Sequence, residues 1–156
     1  MGKKLTIATS SFGVLEDVTP PFNISYRTAK ENLHLGGEIL DAAGAQGVDL
    51  VCLPESFLTA GMPYSGSTMS EVAETIDGYT FKLLAEKAKK YNMNVVAGLP
   101  VKHSGLVYNM AVVISRCGEL LGRYSKIHPT EGEMDIDVVP GCDSTVVETD
   151  VGRLGL

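Results

Sequence analysis

The sequence predicts an α/β domain built on a sheet of mixed strand directions. Apolar runs of strand length alternate with segments of helical periodicity through the first hundred residues. Further on, two strand signals follow one another without a helix between them. The first pattern is typical of parallel β-α-β units and the second of antiparallel hairpins, so the sheet should contain both.

The predicted elements begin with a strand, a helix and a second strand. Residues 5–8 form a short apolar strand, and the helix that follows is expected to begin near Asn23 or Ser25. Its small and apolar positions recur at helical spacing: Ala29, Leu33, Gly36, Leu40 and Ala43. The run at 48–53 is almost continuously apolar and ends at Pro54, which is typical of a strand buried on both faces.

The middle of the chain predicts a loop, a helix and a third strand. Residues 56–78 are rich in Gly, Ser, Thr and Pro, so we expect a long irregular segment there. Thr80 is expected to cap the next helix, which presents one apolar face. A strand then follows at 94–99.

Two hairpins complete the predicted order. Strands at 107–114 and 120–125 flank a turn at 116–118, and a second apolar pair occupies 145–148 and 153–156. The last strand has only just begun when the chain ends, whereas strands usually run to about five or six residues. We therefore expect residues 1–156 to be part of a larger domain.

Composition restricts the partners. Nineteen acidic against 13 basic residues give a net charge of −6, which repels phosphate backbones and anionic headgroups, so we expect no nucleic acid and no membrane partner. No run of 18 apolar residues occurs, and the apolar start is too short for a signal-peptide core, so we expect a cytoplasmic location. Cys52, Cys117 and Cys142 lack metal-site or disulfide spacing, so reduced thiols and no metal are expected.

Charged residues follow two of the predicted strands. Glu55 comes directly after the most apolar strand, and open α/β sheets bind ligands at the carboxyl ends of their strands, so it is a candidate general base. Lys126 directly follows the 120–125 strand, and an ammonium group at this strand end could hold an oxyanion. Glu131 and Glu133 follow, and either could pair with Lys126 or with a substrate amine. A solvated surface side chain is the alternative for each residue.

If the two strands run in the same direction in one sheet, Glu55 and Lys126 emerge at the same rim. We then expect their charged groups to lie within about 4 to 6 Å of each other, where opposite charges support each other's ionised forms. The cysteines offer no comparable pairing: Cys52 is expected to face the core, Cys117 lies in a turn and Cys142 in a loop.

Several motifs together resemble the nitrilase superfamily, the carbon–nitrogen hydrolases. Besides Leu53-Pro54-Glu55 and Gly122-x-Tyr124-x-Lys126-Ile127-His128-Pro129, the matching motifs in chain order are Glu74-x-Ile76-Asp77-Gly78, Tyr108-Asn109-x-Ala111, Pro140-Gly141 and Gly152-Arg153-Leu154-Gly155-Leu156.

This resemblance implies an incomplete α-β-β-α sandwich over residues 1–156 and hydrolysis of amides, N-carbamoyl groups or nitriles by a Glu-Lys-Cys triad. By the same resemblance Glu55 is the general base, Lys126 stabilises the tetrahedral intermediate, and Glu133 is an additional active-site glutamate, with Glu131 as the alternative. The family's cysteine belongs just after the Gly-Arg-Leu-Gly-Leu strand, where this chain ends. No cofactor or metal is implied, the partner is a small-molecule amide or nitrile, and the complete protein is expected to be a homo-oligomer.

Three interpretations remain open at this stage. The chain is the amino-terminal part of a carbon–nitrogen hydrolase, a relative without a nucleophile that serves as a binding or regulatory subunit, or an unrelated nucleotide-binding domain. The third lacks a glycine-rich phosphate loop after its first strand, where Ser10-Ser11-Phe12-Gly13 stands instead. The coding sequence beyond residue 156 separates the first two.

Overall fold

The computed structural model describes residues 4–12, 27–62 and 68–156 and places five strands in one sheet. In order across the sheet, these strands are β1 (Ile7–Thr9), β2 (Leu50–Cys52), β3 (Asn94–His103), β4 (Leu106–Ile114) and β5 (Leu120–Ser125). β1, β2 and β3 are parallel, and β4 runs antiparallel to both of its neighbours. β5 therefore runs in the same direction as β2, and the predicted mixed sheet is confirmed.

The helices and a second, two-stranded sheet complete the described structure. The helices are α1 (Ala29–Ala45), α2 (Thr68–Val72), α3 (Tyr79–Tyr91) and α4 (Glu131–Met134), with a 3-10 turn at Phe57–Thr59. The second sheet is an antiparallel hairpin of β6 (Val146–Thr149) and β7 (Gly152–Gly155). No helix in the described ranges combines the length and the apolar character needed to cross a bilayer.

The main sheet separates a helical layer from the β6–β7 hairpin. Alternate residues of β3 and β4 belong to the buried core shared with α1 and α3: Val95, Ala97, Leu99, Met110, Val112 and Ile114. On the opposite face, Val147 of β6 lies over Gly122 of β5. Side chains alternate along a strand, so one face of the sheet carries helices and the other carries a second sheet. This layering agrees with the predicted incomplete sandwich.

Helix α1 is expected from the sequence to begin near Asn23 or Ser25. Both residues lie outside the described ranges, and α1 begins at Ala29 after Thr28. The Thr28 hydroxyl accepts from the Glu31 amide, and the Glu31 carboxylate accepts from the Thr28 amide at 2.7 Å. This reciprocal capping satisfies amide groups that the first helical turn leaves without partners.

Thr80 does not cap α3, because α3 begins one residue earlier, after Gly78. The Thr80 amide and hydroxyl instead donate to the two carboxylate oxygens of Glu74, at 2.9 and 3.0 Å. A side chain at Gly78 would overlap that carboxylate. The Glu74-to-Gly78 motif therefore serves to start a helix.

The expectation of an entirely irregular segment at 56–78 is also wrong. The described part of it contains the 3-10 turn and α2, while residues 63–67 lie outside the described ranges. The next strand, β3, continues four residues beyond its expected end at 99, because it pairs along its full length with β4.

Arg116 fixes the turn of the β6–β7 hairpin to the main sheet. Its guanidinium contacts Asp150 in that turn at 2.6 Å and Asp49, just before β2, at 2.8 Å. Asn94, the first residue of β3, donates to Asp150 at 2.7 Å. The hairpin is thereby held at the amino ends of β2 and β3, where a planar guanidinium can bind two carboxylates at once.

Gly98 and Gly36 lie where a side chain would meet a close neighbour, whereas Gly37 lies beside open space. A Cβ at Gly98 would lie 2.6 Å from the Glu55 Cα and 2.7 Å from the Ser56 nitrogen, so β3 passes directly beneath the chain that carries Glu55. In α1, a Cβ at Gly36 would lie 3.0 Å from the Phe57 ring, whereas one at Gly37 would meet nothing within 4 Å. Gly36 therefore admits the Phe57 ring against α1, whereas Gly37 makes no such contact.

These contacts predict opposite effects for two glycine-to-alanine changes. Gly98→Ala is expected to lower the free energy of unfolding by about 1 to 3 kcal/mol, because backbone atoms must shift to admit the methyl group. Gly37→Ala is the matched control and should raise it by about 0.5 to 1 kcal/mol, because alanine is the better helix former and the space is open. Urea unfolding of both variants measures the difference, and a neutral Gly98→Ala would contradict the close approach.

Candidate active site

The candidate site lies at the carboxyl ends of β2 and β5, on the sheet face opposite α1 and α3. Glu55 follows β2, Lys126 directly follows β5, and Glu133 lies in α4. Asn109 of β4 reaches the same place from the centre of the sheet, because it alternates onto this face together with Gly98. Side chains from four segments therefore meet at one rim.

Two donors bridge two carboxylates. The Lys126 Nζ lies 2.7 Å from Glu55 Oε1 and 2.9 Å from Glu133 Oε2. The Asn109 Nδ2 lies 2.6 Å from Glu55 Oε1 and 2.6 Å from Glu133 Oε1. These four side chains form a closed ring, called here the carboxylate ring. The prediction that Glu55 and Lys126 lie together is confirmed, at a separation shorter than expected.

Backbone hydrogen bonds hold Lys126 in place on both sides. Its amide donates to the Asn109 carbonyl at 2.9 Å, and its carbonyl accepts from the Gly141 amide at 2.8 Å. The next residue, Ile127, donates its amide to the Tyr124 hydroxyl at 3.2 Å. The Tyr-x-Lys and Pro-Gly motifs thus fix the direction in which the lysine leaves β5.

The structure brings Glu133 to Lys126 and leaves Glu131 exposed on the first turn of α4. Thr130 caps this turn: its hydroxyl accepts from the Glu133 amide at 3.2 Å, and its amide donates to the Glu133 carboxylate at 2.7 Å. The spacing Thr-x-x-Glu is the sequence signature of such a capping box and could have distinguished the two glutamates.

A small apolar cluster adjoins α4 and is formed by Met69, Ala73, Val107, Ile136 and Val138.

Glu55 is held by an unusual backbone. Ser56 has φ 44° and ψ 43°, in the left-handed region that costs free energy for residues with a Cβ. Its hydroxyl donates to Asn109 Oδ1 at 3.1 Å. The turn directs the Glu55 side chain back over the sheet, where 62% of it remains exposed, against 26% for Lys126 and 6% for Glu133.

The ionisation of the ring follows from its hydrogen bonds. Burial tends to raise the pKa of Glu133, but the Thr130 amide, the Lys126 ammonium and the Asn109 carboxamide outweigh burial and hold that pKa at about 2. Burial tends to lower the pKa of Lys126, and contacts with Glu55 and Glu133 raise it above its ordinary value. Glu133 is therefore an anion and Lys126 a cation at neutral pH.

An open cavity of about 290 Å³ lies over the carboxylate ring. Beyond the ring it is lined by Ser56, Thr59, Ala60, Met69 and Thr130. The cavity combines one cation, two carboxyl groups, three hydroxyl groups and an apolar wall, which is typical of a site for a small polar molecule. Within the described ranges, no three His, Cys, Asp or Glu side chains are arranged to hold a metal ion.

None of the three cysteines lines this cavity. Cys52 alternates onto the face opposite the helices and is only half buried, so the expectation that it faces the core is wrong; burial raises its pKa. Cys117 is exposed in the turn before β5, as predicted. Cys142 is exposed in the loop before β6, where a hydrogen bond to Asp143 raises its pKa.

Comparison with known proteins identifies the family. Residues 20–156 match the carbon–nitrogen hydrolase family. The chain belongs to this family. Among carbon–nitrogen hydrolases of known structure, it superposes on one from Helicobacter pylori with a TM-score of 0.70 and 24% identity, covering 84% of this chain and 47% of that one. It also superposes on one from Xanthomonas campestris with a TM-score of 0.71 and 24% identity, covering 85% and 48%.

Relatives by sequence are also carbon–nitrogen hydrolases. The chain is 35% identical to the beta-ureidopropionase of Arabidopsis thaliana over 125 residues, which cover 75% of this chain and 29% of that protein. It is 32% identical to an omega-amidase of Bos taurus over 139 residues, which cover 81% of this chain and 48% of that protein. The chain therefore spans less than half the length of these relatives.

The low pKa of Glu133 predicts that stability falls in acid. A carboxyl whose pKa falls from 4.5 to about 2 on folding contributes roughly 3 kcal/mol above pH 4.5, and this contribution is lost as the pH falls toward 2. Glu133→Gln should remove this contribution, so that the free energy of unfolding of the variant depends less on pH between pH 7 and pH 2.5. Glu131→Gln removes an exposed carboxyl from the same helix and is the matched control. Equal acid dependence in the two variants would contradict this assignment.

Proposed function

We propose that this chain supplies the general base, the oxyanion-stabilising cation and a second carboxylate of an enzyme that hydrolyses amide, N-carbamoyl or nitrile carbon–nitrogen bonds. The observation that carries the proposal is the contact of Lys126 with both Glu55 and Glu133 at the carboxyl rim of the sheet. The beta-ureidopropionase and omega-amidase relatives support this substrate class. The substrate partner is a small molecule rather than nucleic acid or membrane, and the complete protein is a cytoplasmic homo-oligomer.

In the proposed reaction the nucleophile is a cysteine in the segment that follows Leu156. The position of the β7 end supports this role. Leu156 donates its amide to the Thr145 carbonyl at 3.0 Å, and the Thr145 hydroxyl donates to the carbonyl of Arg123, three residues before Lys126. The chain thus leaves β7 toward the rim that carries the carboxylate ring, and a residue just beyond it has a short path to the cavity.

The chemistry then proceeds in two stages. Glu55 accepts the thiol proton, and the thiolate attacks the carbonyl or nitrile carbon. Lys126 holds the negative charge that develops on the oxygen or nitrogen atom of the substrate. For an amide or carbamoyl substrate, the nitrogen leaves as ammonia or an amine after receiving the proton from Glu55. A nitrile first gives a thioimidate, which adds one water and loses ammonia to give the thioester. A second water, deprotonated by Glu55, then attacks the thioester, or the thiocarbamate formed from a carbamoyl substrate, and releases the acid and the thiolate. Glu55 returns the proton to that thiolate.

The carboxylate ring suits Lys126 for this role. Because two carboxylates raise its pKa, the lysine retains its positive charge while negative charge forms on the substrate. An ammonium held by two fixed partners needs no reorganisation when the transition state forms, and preorganised charge of this kind contributes strongly to catalysis. Glu133, as a permanent anion, holds the ammonium and leaves proton transfer to Glu55.

The first prediction from this proposal is that the 156 residues alone release no ammonia from a panel of amides and nitriles. None of their three cysteines lines the cavity of the carboxylate ring, so no thiol is placed for attack. Ammonia release by purified protein is the measurement, with Glu55→Gln as the control for contaminating enzymes. Turnover that disappears in Cys142→Ser would contradict the prediction and make Cys142 the nucleophile.

The second prediction concerns a chain extended through the following cysteine. There, Glu55→Gln and Lys126→Ala should each reduce turnover by a factor of about 10³ or more without unfolding the protein, because each removes a group that acts in the transition state. Glu131→Gln and Lys102→Ala alter exposed residues of the same types and should leave turnover near normal. Near-normal turnover in Glu55→Gln would disprove its role as base. A natural stop codon after residue 156 would favour the binding or regulatory alternative.

A further inference from the structure

Asn109 is the one neutral member of the carboxylate ring. It donates to Glu55 and to Glu133, so each of these carboxylates is bound by Asn109 as well as by Lys126. Asn109 is 5% exposed, and it occupies the centre of a sheet in which most neighbouring positions are apolar. A buried carboxamide at such a position lowers stability unless its polar atoms are paired. Here the pairing is complete, with Nδ2 bound to both carboxylates and Oδ1 bound to Ser56.

The two carboxylates determine which way the carboxamide faces, and the Ser56 hydroxyl satisfies the oxygen on its other side. A carboxamide can rotate by 180° and exchange its oxygen for its nitrogen, and only one orientation donates to two carboxylates. Since Nδ2 donates to Glu55 and Glu133, Oδ1 is turned toward Ser56 and accepts from its hydroxyl. The reverse orientation would place Oδ1 against two anions. Each of the two Nδ2 hydrogens then has one carboxylate as its acceptor.

Charge balance shows what this donor group does. The titratable groups that line the cavity are Glu55, Lys126 and Glu133, from the end of β2, the end of β5 and α4. One ammonium cannot neutralise two carboxylates, and neighbouring carboxyl groups reduce their repulsion by sharing a proton. A neutral donor between them stabilises both anions without offering a proton of its own. Glu55 is largely exposed, so without Asn109 only its contact with Lys126 would hold this carboxylate over the sheet.

We propose that Asn109, whose carboxamide also contacts Ser56, is a positioning residue that fixes the Glu55 carboxylate against Lys126 and adds to the stabilisation of the Glu133 carboxylate. This inference rests on the proposed hydrolase function, in which Glu55 must accept a proton at a defined place. Asn109 itself exchanges no proton and acts only through the two glutamates. Its contribution differs from that of an ordinary core residue, because it alters the ionisation and geometry of its neighbours as well as the stability of the fold.

Three variants of the 156-residue chain test the proposal. Asn109→Leu keeps the approximate volume and removes both donors. Ser56→Gly tolerates the left-handed backbone and removes the hydroxyl that donates to the carboxamide oxygen. Asn94→Leu is the matched control, because it removes another fully buried carboxamide at the opposite end of the sheet. Carbon-13 NMR of the Glu133 carboxyl group gives its pKa, and crystal structures give the distance from Glu55 Oε1 to Lys126 Nζ.

In Asn109→Leu we expect the pKa of Glu133 to rise by about one unit, a tenfold change in its acid dissociation constant, because one charge-assisted hydrogen bond is lost. The distance from Glu55 to Lys126 should increase beyond salt-bridge range. Ser56→Gly should shift both quantities in the same direction by less, and it decides the question if Asn109→Leu does not fold. Asn94→Leu should lower stability and leave both quantities unchanged.

The proposal is overturned if Asn109→Leu leaves both the Glu133 titration and the Glu55-to-Lys126 distance unchanged. It is also overturned if Asn94→Leu shifts both quantities equally, because the shifts would then be a general effect of destabilisation. If Asn109→Leu does not fold, unchanged values in Ser56→Gly overturn it as well. None of these measurements uses turnover. The hydrolase proposal therefore fails separately, through normal turnover of Glu55→Gln in the extended chain.

Discussion

The ammonium of Lys126 between two carboxylates is the interaction on which the rest of the site depends. Glu133 is 6% exposed, and a carboxylate buried to that extent is strongly destabilising unless a cation and hydrogen-bond donors compensate for lost hydration. Lys126 supplies the cation, and Thr130 and Asn109 supply the donors. The ends of β2 and β5 and the short helix α4 must therefore converge on one point, and the stability of this region is coupled to the geometry of the ring.

Sheet topology makes that convergence possible across 71 residues of sequence. β4 runs antiparallel to both β3 and β5, so β5 ends at the same rim as β2. Two strands still lie between β2 and β5, and the Glu55 side chain must cross them. The missing side chain at Gly98 lets the chain around Glu55 pass close over β3, and the left-handed Ser56 turns it across the sheet. Backbone strain here accompanies a functional arrangement, as is common at such sites.

Much of the fold could be predicted from sequence, because apolar periodicity reports directly on which face of an element is buried. Glu55 and Lys126 are identifiable because each directly follows a predicted strand of the sheet. The caps of α1 and α3 differ in this respect. Thr28 and Glu31 form a capping box whose Thr-x-x-Glu signature is local in sequence, whereas no capping signature predicts that the Glu74 carboxylate binds the Thr80 amide. Asn109 was visible only as part of a motif, since its contact with two carboxylates follows from strand register rather than from its neighbours in sequence.

Each end of the sheet has one cation that binds two carboxylates. At the amino end of β2, Arg116 binds Asp49 and Asp150 and so balances one cation with two carboxylates in a purely structural contact. At the carboxyl end, Lys126 balances Glu55 and Glu133 in the same proportion, beside an open cavity. A guanidinium is always charged and forms several directed bonds, which suits a fixed clamp, whereas an ammonium can exchange a carboxylate contact for a developing oxyanion. In the proposed hydrolase, the choice of cation at each end therefore matches the role of that end. Arg116 fixes the turn of the β6–β7 hairpin, and with it the position at which β7 ends.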